Sequence, residues 1–109
     1  MRKSTIGELE EVILLVVVML QHEAYGVAIT QEIQQQLKRT ISVSAVHATL
    51  HRLQEKGFVT SAMGGATAER GGRRKRYFKA TPAGIRMLQE IQEVRTRLWS
   101  QISPNALLS

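Results

Sequence analysis

The feature that most constrains the fold is an unbroken run of nine apolar residues, Val12–Leu20 (VILLVVVML). Glutamates at positions 8, 10 and 11 precede it, and Thr5–Glu8 has the spacing of a helix capping box. These signals predict a helix from Ile6 to about Leu20, although three consecutive valines favour a strand. A helix that is apolar on every side is buried on more than one side. We therefore expect one side to lie in the domain core and another to meet a second chain.

The composition of the chain limits its class and its location. Nine apolar residues are too few for a membrane span, which takes about 20. Arg2 and Lys3 precede the run as they would in a signal peptide, but glutamates intervene and no small-residue cleavage site follows closely. The absence of cysteine excludes disulfides, iron–sulfur clusters and thiolate zinc sites. We expect a cytoplasmic protein, not associated with a membrane, with one domain in its 109 residues.

Two shorter helices are predicted next. Tyr25-Gly26 opens the second helix, after which apolar residues recur at helical spacing. The third helix has Ser42 or Ser44 as its cap and Gly57 as a left-handed stop. Its narrow apolar stripe consists of Val46, Leu50 and Leu53. The opposite face carries Ser44, Ala48, His51, Arg52 and Glu55, with His47 on its flank.

A strongly basic β-hairpin follows. Residues 58–63 and 73–80 have strand composition, and the loop between them, 64–72, is rich in glycine. The chain has 15 Lys and Arg against 9 acidic residues, a net charge of +6, and six of the cations lie within residues 70–79. Alternation along the second strand predicts that Tyr77-Phe78 anchors it to the core while its cationic end projects. Such a local excess of positive charge attracts a polyanion to one place.

The last predicted helix begins with Thr81 as cap and Pro82 at the first helical position. Its apolar residues recur at helical spacing to about Ser103, which is longer than a small domain needs. Pro104 is expected to end it and to leave a frayed tail.

Three helices followed by a basic hairpin are the layout of a winged helix-turn-helix. We therefore predict a mainly α fold with a small two-stranded hairpin, divided into a DNA-binding domain (residues 1–81), a C-terminal dimerisation helix (residues 82–103) and a tail (residues 104–109). The third helix would enter the major groove, and the hairpin, or wing, would contact phosphates beside it.

Three segments resemble the PadR family of bacterial transcriptional regulators: GELEEVILLVVVMLQHEAYGVAITQEI, SVSAVHATLHRLQEKGFV and GGRRKRYFKATPAG. The resemblance covers Gly7 to about Leu88 and is closest to the short-form members, which end in a single dimerising helix. It implies a homodimeric DNA-binding regulator, usually a repressor. The positions that match are Tyr25-Gly26, Leu50-Arg52-Leu53 with Gly57, and Gly71-Gly72-Arg73 with Tyr77. His47 departs from the family, which often has Tyr there.

The candidate DNA contacts belong to three groups. Those of the recognition helix are Ser42, Ser44, His47, Ala48, His51 and Arg52. Those of the wing are Arg70, Arg73, Arg74, Lys75 and Arg76, and the start of the second helix adds Tyr25 and Gly26. Serine can bond either base, alanine can touch a thymine methyl group, and arginine can pair with guanine. Arg52 lies late in its helix, so a phosphate is its expected target, with an intrahelical pair to Glu55 as the alternative. Phosphate contacts from the wing would position the protein without reading sequence.

His47 and His51 are four residues apart on one face, which raises the question of a metal. The sequence HATLH lacks the glutamate of the zinc protease motif, and the chain has no Cys or Asp, so no metal is predicted. Charging of imidazole near phosphate instead predicts that DNA affinity depends on pH.

The predicted homodimer pairs through the last helix, with the first helix adding to the contact. Its interface residues are Val12, Leu15, Val16, Met19, Leu88, Ile91, Arg95, Leu98, Trp99 and Ile102. Trp99 is expected to pack in the dimer, or alternatively to stack on a small aromatic effector. Two recognition helices about 34 Å apart would bind a roughly palindromic operator and block a promoter.

Two other classes of function compete. An enzyme is disfavoured because no glycine-rich phosphate loop or catalytic constellation is evident, and we expect no cofactor. A winged-helix domain that docks on proteins without binding DNA is the main alternative. Steep loss of DNA affinity with rising salt would distinguish a DNA-binding regulator from it.

Overall fold

The computed structural model describes residues 5–64 and 75–108. The elements in that part of the chain are helix α1 (Glu8–Leu20), a 3-10 turn (Gln21–Glu23), helices α2 (Gly26–Leu37) and α3 (Val43–Glu55), strands β1 (Val59–Met63) and β2 (Arg76–Ala80), and helices α4 (Pro82–Ser100) and α5 (Pro104–Leu108). This order confirms the predicted mainly helical winged helix-turn-helix. Within the described residues, no helix is both long enough and apolar enough to span a bilayer.

Helix α1 begins later than predicted, and the capping box proposed for Thr5–Glu8 is wrong. Gly7 is the N-cap, and its backbone N–H donates to Glu10 Oε1 at 2.7 Å. The carbonyl oxygen of Thr5 accepts instead from Lys56 Nζ at 2.7 Å. Glu10, three residues after the Gly7 cap, therefore caps the helix in the place proposed for Glu8.

The core lies where α1, α2, α3 and the hairpin meet. Ile13, Leu14 and Val17 of α1 are fully buried against residues of α2 and α3. Leu15, Val18 and Met19 of the same helix are exposed, so α1 is buried on one side within the chain. Val16 and Leu88, expected at a dimer interface, belong to this core and are only 5% and 9% exposed. Little of their surface remains for a second chain.

The ends of α3 form as predicted. Ser42 is the cap, since its Oγ accepts from Ala45 N–H at 3.0 Å, which settles the choice between Ser42 and Ser44. Gly57 has φ of 81°, the left-handed conformation that a residue with a side chain rarely adopts. The apolar stripe of Val46, Leu50 and Leu53 is buried together with Thr49.

The two strands are antiparallel, with Val59 opposite Ala80 and Ser61 opposite Phe78. Phe78 is buried in the core, and its N–H donates to Ala24 O at 2.8 Å. The predicted anchoring of this strand by its aromatic end is therefore confirmed. The first strand begins at Val59 rather than at Phe58, because the Phe58 N–H donates to Leu53 O of α3 at 2.9 Å and not to the opposite strand. Residues 65–72 of the predicted loop and residues 73 and 74 of the predicted return strand lie outside the described residues.

Helix α4 starts as predicted and ends earlier. Thr81 Oγ1 accepts from Gly84 N–H at 3.0 Å, and Pro82 is the first helical residue. The helix ends at Ser100, three positions before the expected Ser103. The expectation of a frayed tail is wrong for residues 104–108, which form α5. Proline is favoured at a first helical position, and Ser103 Oγ accepts from Asn105 N–H at 3.2 Å, so Ser103 and Pro104 start a new helix.

Candidate nucleic-acid interface

The outer face of α3 carries most of the candidate DNA contacts. Burial of the α3 stripe in the core turns the opposite face to solvent, where Ser44, His47, Ala48 and His51 are all exposed. Ser42 lies at the start of this face, and its Oγ is 3.3 Å from Ser44 Oγ. The structure thus brings five of the six predicted residues to one surface.

Arg52 is directed away from this surface, toward α1. Its Nη2 donates to Thr49 Oγ1 at 3.1 Å, and its Nε lies 3.7 Å from Glu10 Oε2. The alternative pair with Glu55 is not formed, because Glu55 pairs with His51 Nε2 at 3.3 Å. Arg52 remains 52% exposed, so it retains donors for solvent or a phosphate while Glu10 holds one side of it.

Glu10 is a buried carboxylate between α1 and α3, only 6% exposed. Lys56 Nζ donates to both of its oxygens, each at 3.0 Å. Burial alone would raise the pKa of this carboxyl. The hydrogen bonds from Gly7 and Lys56 and the charges of Lys56 and Arg52 outweigh burial, so the pKa of Glu10 lies below the usual glutamate value. A charged Glu10 therefore fixes the C-terminal end of α3 against α1.

Tyr25 and Gly26 lie at the junction of α2, α3 and the hairpin. The Tyr25 ring meets the Tyr77 ring edge to face, with centroids 5.5 Å apart, and Lys75 Nζ is 4.1 Å from the Tyr25 ring centroid. Gly26 is buried beneath the imidazole of His47, which occupies the space that a Cβ would need. Tyr25 thus supports the base of the hairpin, a role that sequence reasoning missed because it depends on a contact 52 positions along the chain.

The wing residues divide at the boundary of the described chain. Arg70, Arg73 and Arg74 lie outside the described residues. Lys75 and Arg76 are described and exposed. Arg76 Nη1 donates to Ser61 Oγ at 3.1 Å, and Ser61 Oγ donates to Gln54 Oε1 at 3.1 Å. A chain of hydrogen bonds therefore joins the hairpin to α3.

A small depression, here called the α3–hairpin notch, lies between these elements. It has a volume of about 270 Å³ and is lined by His47, His51, Gln54, Arg76 and Phe78. The sequence suggested His47 and His51 on the third helix and Arg76 on the hairpin as separate candidates, and it did not suggest Gln54. Their convergence depends on how the hairpin packs against α3, which no local pattern indicates. Among the residues that the structure describes, no group of three His, Cys, Asp or Glu side chains is arranged to hold a metal ion.

The remaining dimer-interface candidates lie on α1, on α4 and, for Ile102, just after the end of α4. Leu15, Met19, Leu98, Trp99 and Ile102 are exposed, whereas Val12 and Ile91 are half-buried. Arg95 Nη2 donates to Glu11 Oε1 at 3.1 Å, so it joins α4 to α1 within the chain. A separate open groove of about 820 Å³ runs between the end of α1, the hairpin and the start of α4, and Trp99 is not among its lining residues.

Solved structures share this fold. A PadR-like transcriptional regulator from Bacillus cereus is 20% identical with a TM-score of 0.71, over 93% of this chain and 91% of that one. A PadR-like transcription factor from Bacteroides fragilis is 22% identical with a TM-score of 0.70, over 84% of each chain. Bacillus subtilis PadR in complex with operator DNA is 20% identical with a TM-score of 0.63, over 78% of this chain and 46% of that one. A comparison with curated proteins gave no significant match.

The sequence also matches a family model. Residues 14–90 fit the model described as the transcriptional regulator PadR-like family. The match runs from the core of α1 through the recognition helix and the hairpin to the middle of α4, so it includes every element that forms the candidate interface. The chain belongs to the PadR-like family of transcriptional regulators.

Proposed function

We propose that the protein is a homodimeric repressor that binds a roughly palindromic operator in double-stranded DNA. The observation that carries this proposal is the α3–hairpin notch, to which α3 contributes His47 and His51 and the hairpin contributes Arg76. Recognition helix and hairpin thus face the same side of the molecule. The complex of Bacillus subtilis PadR with operator DNA supports the same use of this fold.

Sequence readout is assigned to the exposed residues at the start and middle of α3. Ser44 can donate to or accept from a base edge, and Ala48 can meet a thymine methyl group. Lys75 and Arg76, together with the three arginines outside the described residues, supply phosphate contacts beside the groove. Glu10 holds the Arg52 guanidinium on the α1 side of α3, away from the residues assigned to bases. Because Arg52 is still half exposed, it is assigned to a phosphate.

Dimerisation is assigned to the apolar residues that one chain leaves uncovered. Leu15 and Met19 of α1 are exposed, as are Leu98 and Trp99 of α4 at 59% and 64%. Extended apolar surface of this kind marks an interaction site in a soluble protein. A two-fold pairing of these faces would present two α3 helices to successive major grooves, about 34 Å apart. Trp99 then packs in the dimer, or holds a small aromatic effector between the two last helices.

Selection of bound duplexes from a random library, followed by fluorescence anisotropy on the selected sequence, tests the proposal. We expect tight binding to the selected duplex and weak binding to a shuffled one. The logarithm of the binding constant should fall with the logarithm of salt concentration, with a slope of about −0.9 for each phosphate contacted. A docking domain that acts only on proteins would show neither enrichment nor this slope. A reporter placed behind the selected site would then distinguish repression from activation.

A further inference from the structure

We propose that the α3–hairpin notch is a phosphate site, in which His47, His51 and Arg76 hold one backbone phosphate of the bound DNA and the histidines take up protons as it enters. The inference rests on the proposed DNA binding and names one contact within it. It differs from ordinary phosphate contacts of a wing, because the ligands come from both the recognition helix and the hairpin.

The size of the notch suits this ligand. One water molecule takes about 30 Å³ in the liquid, so a space of about 270 Å³ accommodates a phosphate group with several waters. Phe78 forms an apolar wall, and its ring lies 6.3 Å from that of His47 at an angle of 59°. An apolar wall reduces the solvation of charges near it, which strengthens their attraction to an anion.

Arg76 is held in place to bind an anion. Its Nη1 donates to Ser61 Oγ, which donates in turn to Gln54 Oε1 of α3. Arginine has five N–H donors in a planar fork, so this bond leaves donors that can reach a phosphate. Because the fork is already oriented, less side-chain freedom is lost on binding.

The two histidines supply a charge that varies with pH. Imidazole changes charge between about pH 5 and 8, and both of its nitrogens donate when it is protonated. His51 Nε2 faces Glu55 at 3.3 Å, which leaves Nδ1 as its second donor. The Nε2 edge of His47 packs against Gly26, which leaves Nδ1 as the ring nitrogen away from that backbone.

Charged groups on α3 and on the hairpin surround these histidines. Glu55 on α3 places a carboxylate oxygen 3.3 Å from His51 Nε2, and Arg76 lines the notch together with both histidines. Lys75, held over Tyr25 at the start of α2, adds positive charge nearby. A phosphate in the notch offsets the repulsion between these cations, so its entry favours the imidazolium form. Binding is therefore linked to proton uptake, and affinity must fall as pH rises.

The first test measures duplex affinity by anisotropy at pH 6 and pH 8, at fixed ionic strength. We expect the wild-type protein to lose affinity about fivefold or more over this range, since one proton taken up per site changes affinity by up to about tenfold per pH unit. The double variant His47→Gln with His51→Gln should bind at pH 6 about as weakly as the wild type does at pH 8. Glutamine keeps hydrogen-bonding capacity without the charge, and both positions are exposed, so the fold should persist; circular dichroism would check this.

His22→Gln is the matched control. His22 is the third histidine of the chain and lies on the 3-10 turn after α1, outside the notch. This variant should keep the full pH dependence. An equal pH dependence in the double variant and the wild type would overturn the inference, as would its loss in His22→Gln.

A second test identifies the phosphate. Duplexes with a neutral methylphosphonate at successive positions should show one position per half-site at which the pH dependence disappears. Inorganic phosphate added to the protein without DNA tests free phosphate as the ligand, read from the imidazole NMR signals of His47 and His51. Loss of the pH dependence at one methylphosphonate position supports the backbone phosphate. An NMR shift with inorganic phosphate alone would assign the notch to free phosphate and overturn the DNA contact, and no effect in both arms would overturn the phosphate site. Failure of the proposed function is distinguishable, since it would abolish duplex binding at every pH.

Discussion

Lys56 Nζ lies 3.0 Å from each carboxylate oxygen of Glu10, which joins the last turn of the recognition helix to the first turn of α1. The same carboxylate lies 3.7 Å from Arg52 Nε and accepts from the N–H of Gly7. One buried acid thus caps α1 and positions the C-terminal end of α3. The orientation of α3, the helix proposed to face DNA, therefore depends on a buried residue of α1.

Glu10→Gln should lower the free energy of unfolding by about 1–3 kcal/mol at pH 7, because the partly buried ammonium of Lys56 would then face a neutral amide. Urea unfolding at pH 7 measures this. Glu8→Gln is the matched control, since Glu8 lies in the same first turn and is exposed. An equal loss in the two variants would show that the effect comes from the helix dipole and not from the contact with Lys56.

The contribution of Glu10 should also depend on pH. Its pKa is lower in the folded chain than the ordinary value of 4.5, because its hydrogen bonds and cationic partners outweigh burial. The stabilisation is therefore present above that ordinary value and is lost as pH falls through the lower, folded pKa. The gap in unfolding free energy between the wild type and Glu10→Gln should narrow in acid. A gap that widened below pH 4.5 would contradict this assignment.

Gly84→Ala should destabilise the protein even though alanine is the better helix former by about 1 kcal/mol. Gly84 lies in the first turn of α4, and an added Cβ would overlap the backbone carbonyl of Phe58, which cannot move without shifting the hairpin. Thermal unfolding measures the change. Gln89→Ala, at an exposed position of the same helix, should leave the melting temperature nearly unchanged. A Gly84→Ala protein more stable than the wild type would mean that Gly84 and the Phe58 carbonyl are far enough apart to admit a methyl group.

Leu98→Glu should convert the proposed dimer to monomers, because it places a charge on the exposed apolar face of α4. Sedimentation at micromolar concentration measures the mass. Gln31→Glu adds the same charge at an exposed position of α2 and should leave the dimer intact. Trp99, the single tryptophan, should shift its emission to the red in the monomer as its ring enters water. Saturable quenching by an aromatic compound in the intact dimer would instead favour the effector role.

Replacement of Arg73, Arg74 and Arg76 by alanine should weaken binding to selected and shuffled duplexes alike, since phosphate contacts carry no sequence information. The salt slope should become shallower by about 0.9 for each phosphate that the variant no longer neutralises. Arg86→Ala, at an exposed position of α4, is the control and should leave the salt slope unchanged. Loss of discrimination at unchanged affinity would mean that the hairpin reads bases.

Much of the fold was predictable because its signals are local. Ser42 marks the start of α3 and Gly57 follows its end. Thr81 and Pro82 mark the start of α4, and all of these signals act within a few positions. The period of apolar residues then assigns which face of α3 is buried. The winged helix follows from the order of these elements.

The rest was not predictable because it depends on contacts between distant positions. Lys56 meets the capping acid Glu10 from 46 positions away along the chain. Arg52 pairs with Glu10 rather than Glu55 for the same reason, once α3 is packed on α1. The notch requires the register of the hairpin, which places Ser61 between Arg76 and Gln54. A single sequence contains these residues but does not show which of them meet.

Gly26→Ala should separate stability from DNA affinity. The added Cβ would overlap the imidazole of His47, which is an exposed side chain and can rotate away, so the cost in unfolding free energy should be below about 1 kcal/mol. The displaced ring no longer lines the notch, and DNA affinity at pH 6 should fall toward that of the double variant His47→Gln with His51→Gln. Gln31→Ala, at an exposed position of α2, is the control for stability and for affinity. Chemical unfolding and anisotropy on the same preparations measure both quantities. A Gly26→Ala protein that binds DNA like the wild type at pH 6 would show that the position of His47 over Gly26 has no part in binding.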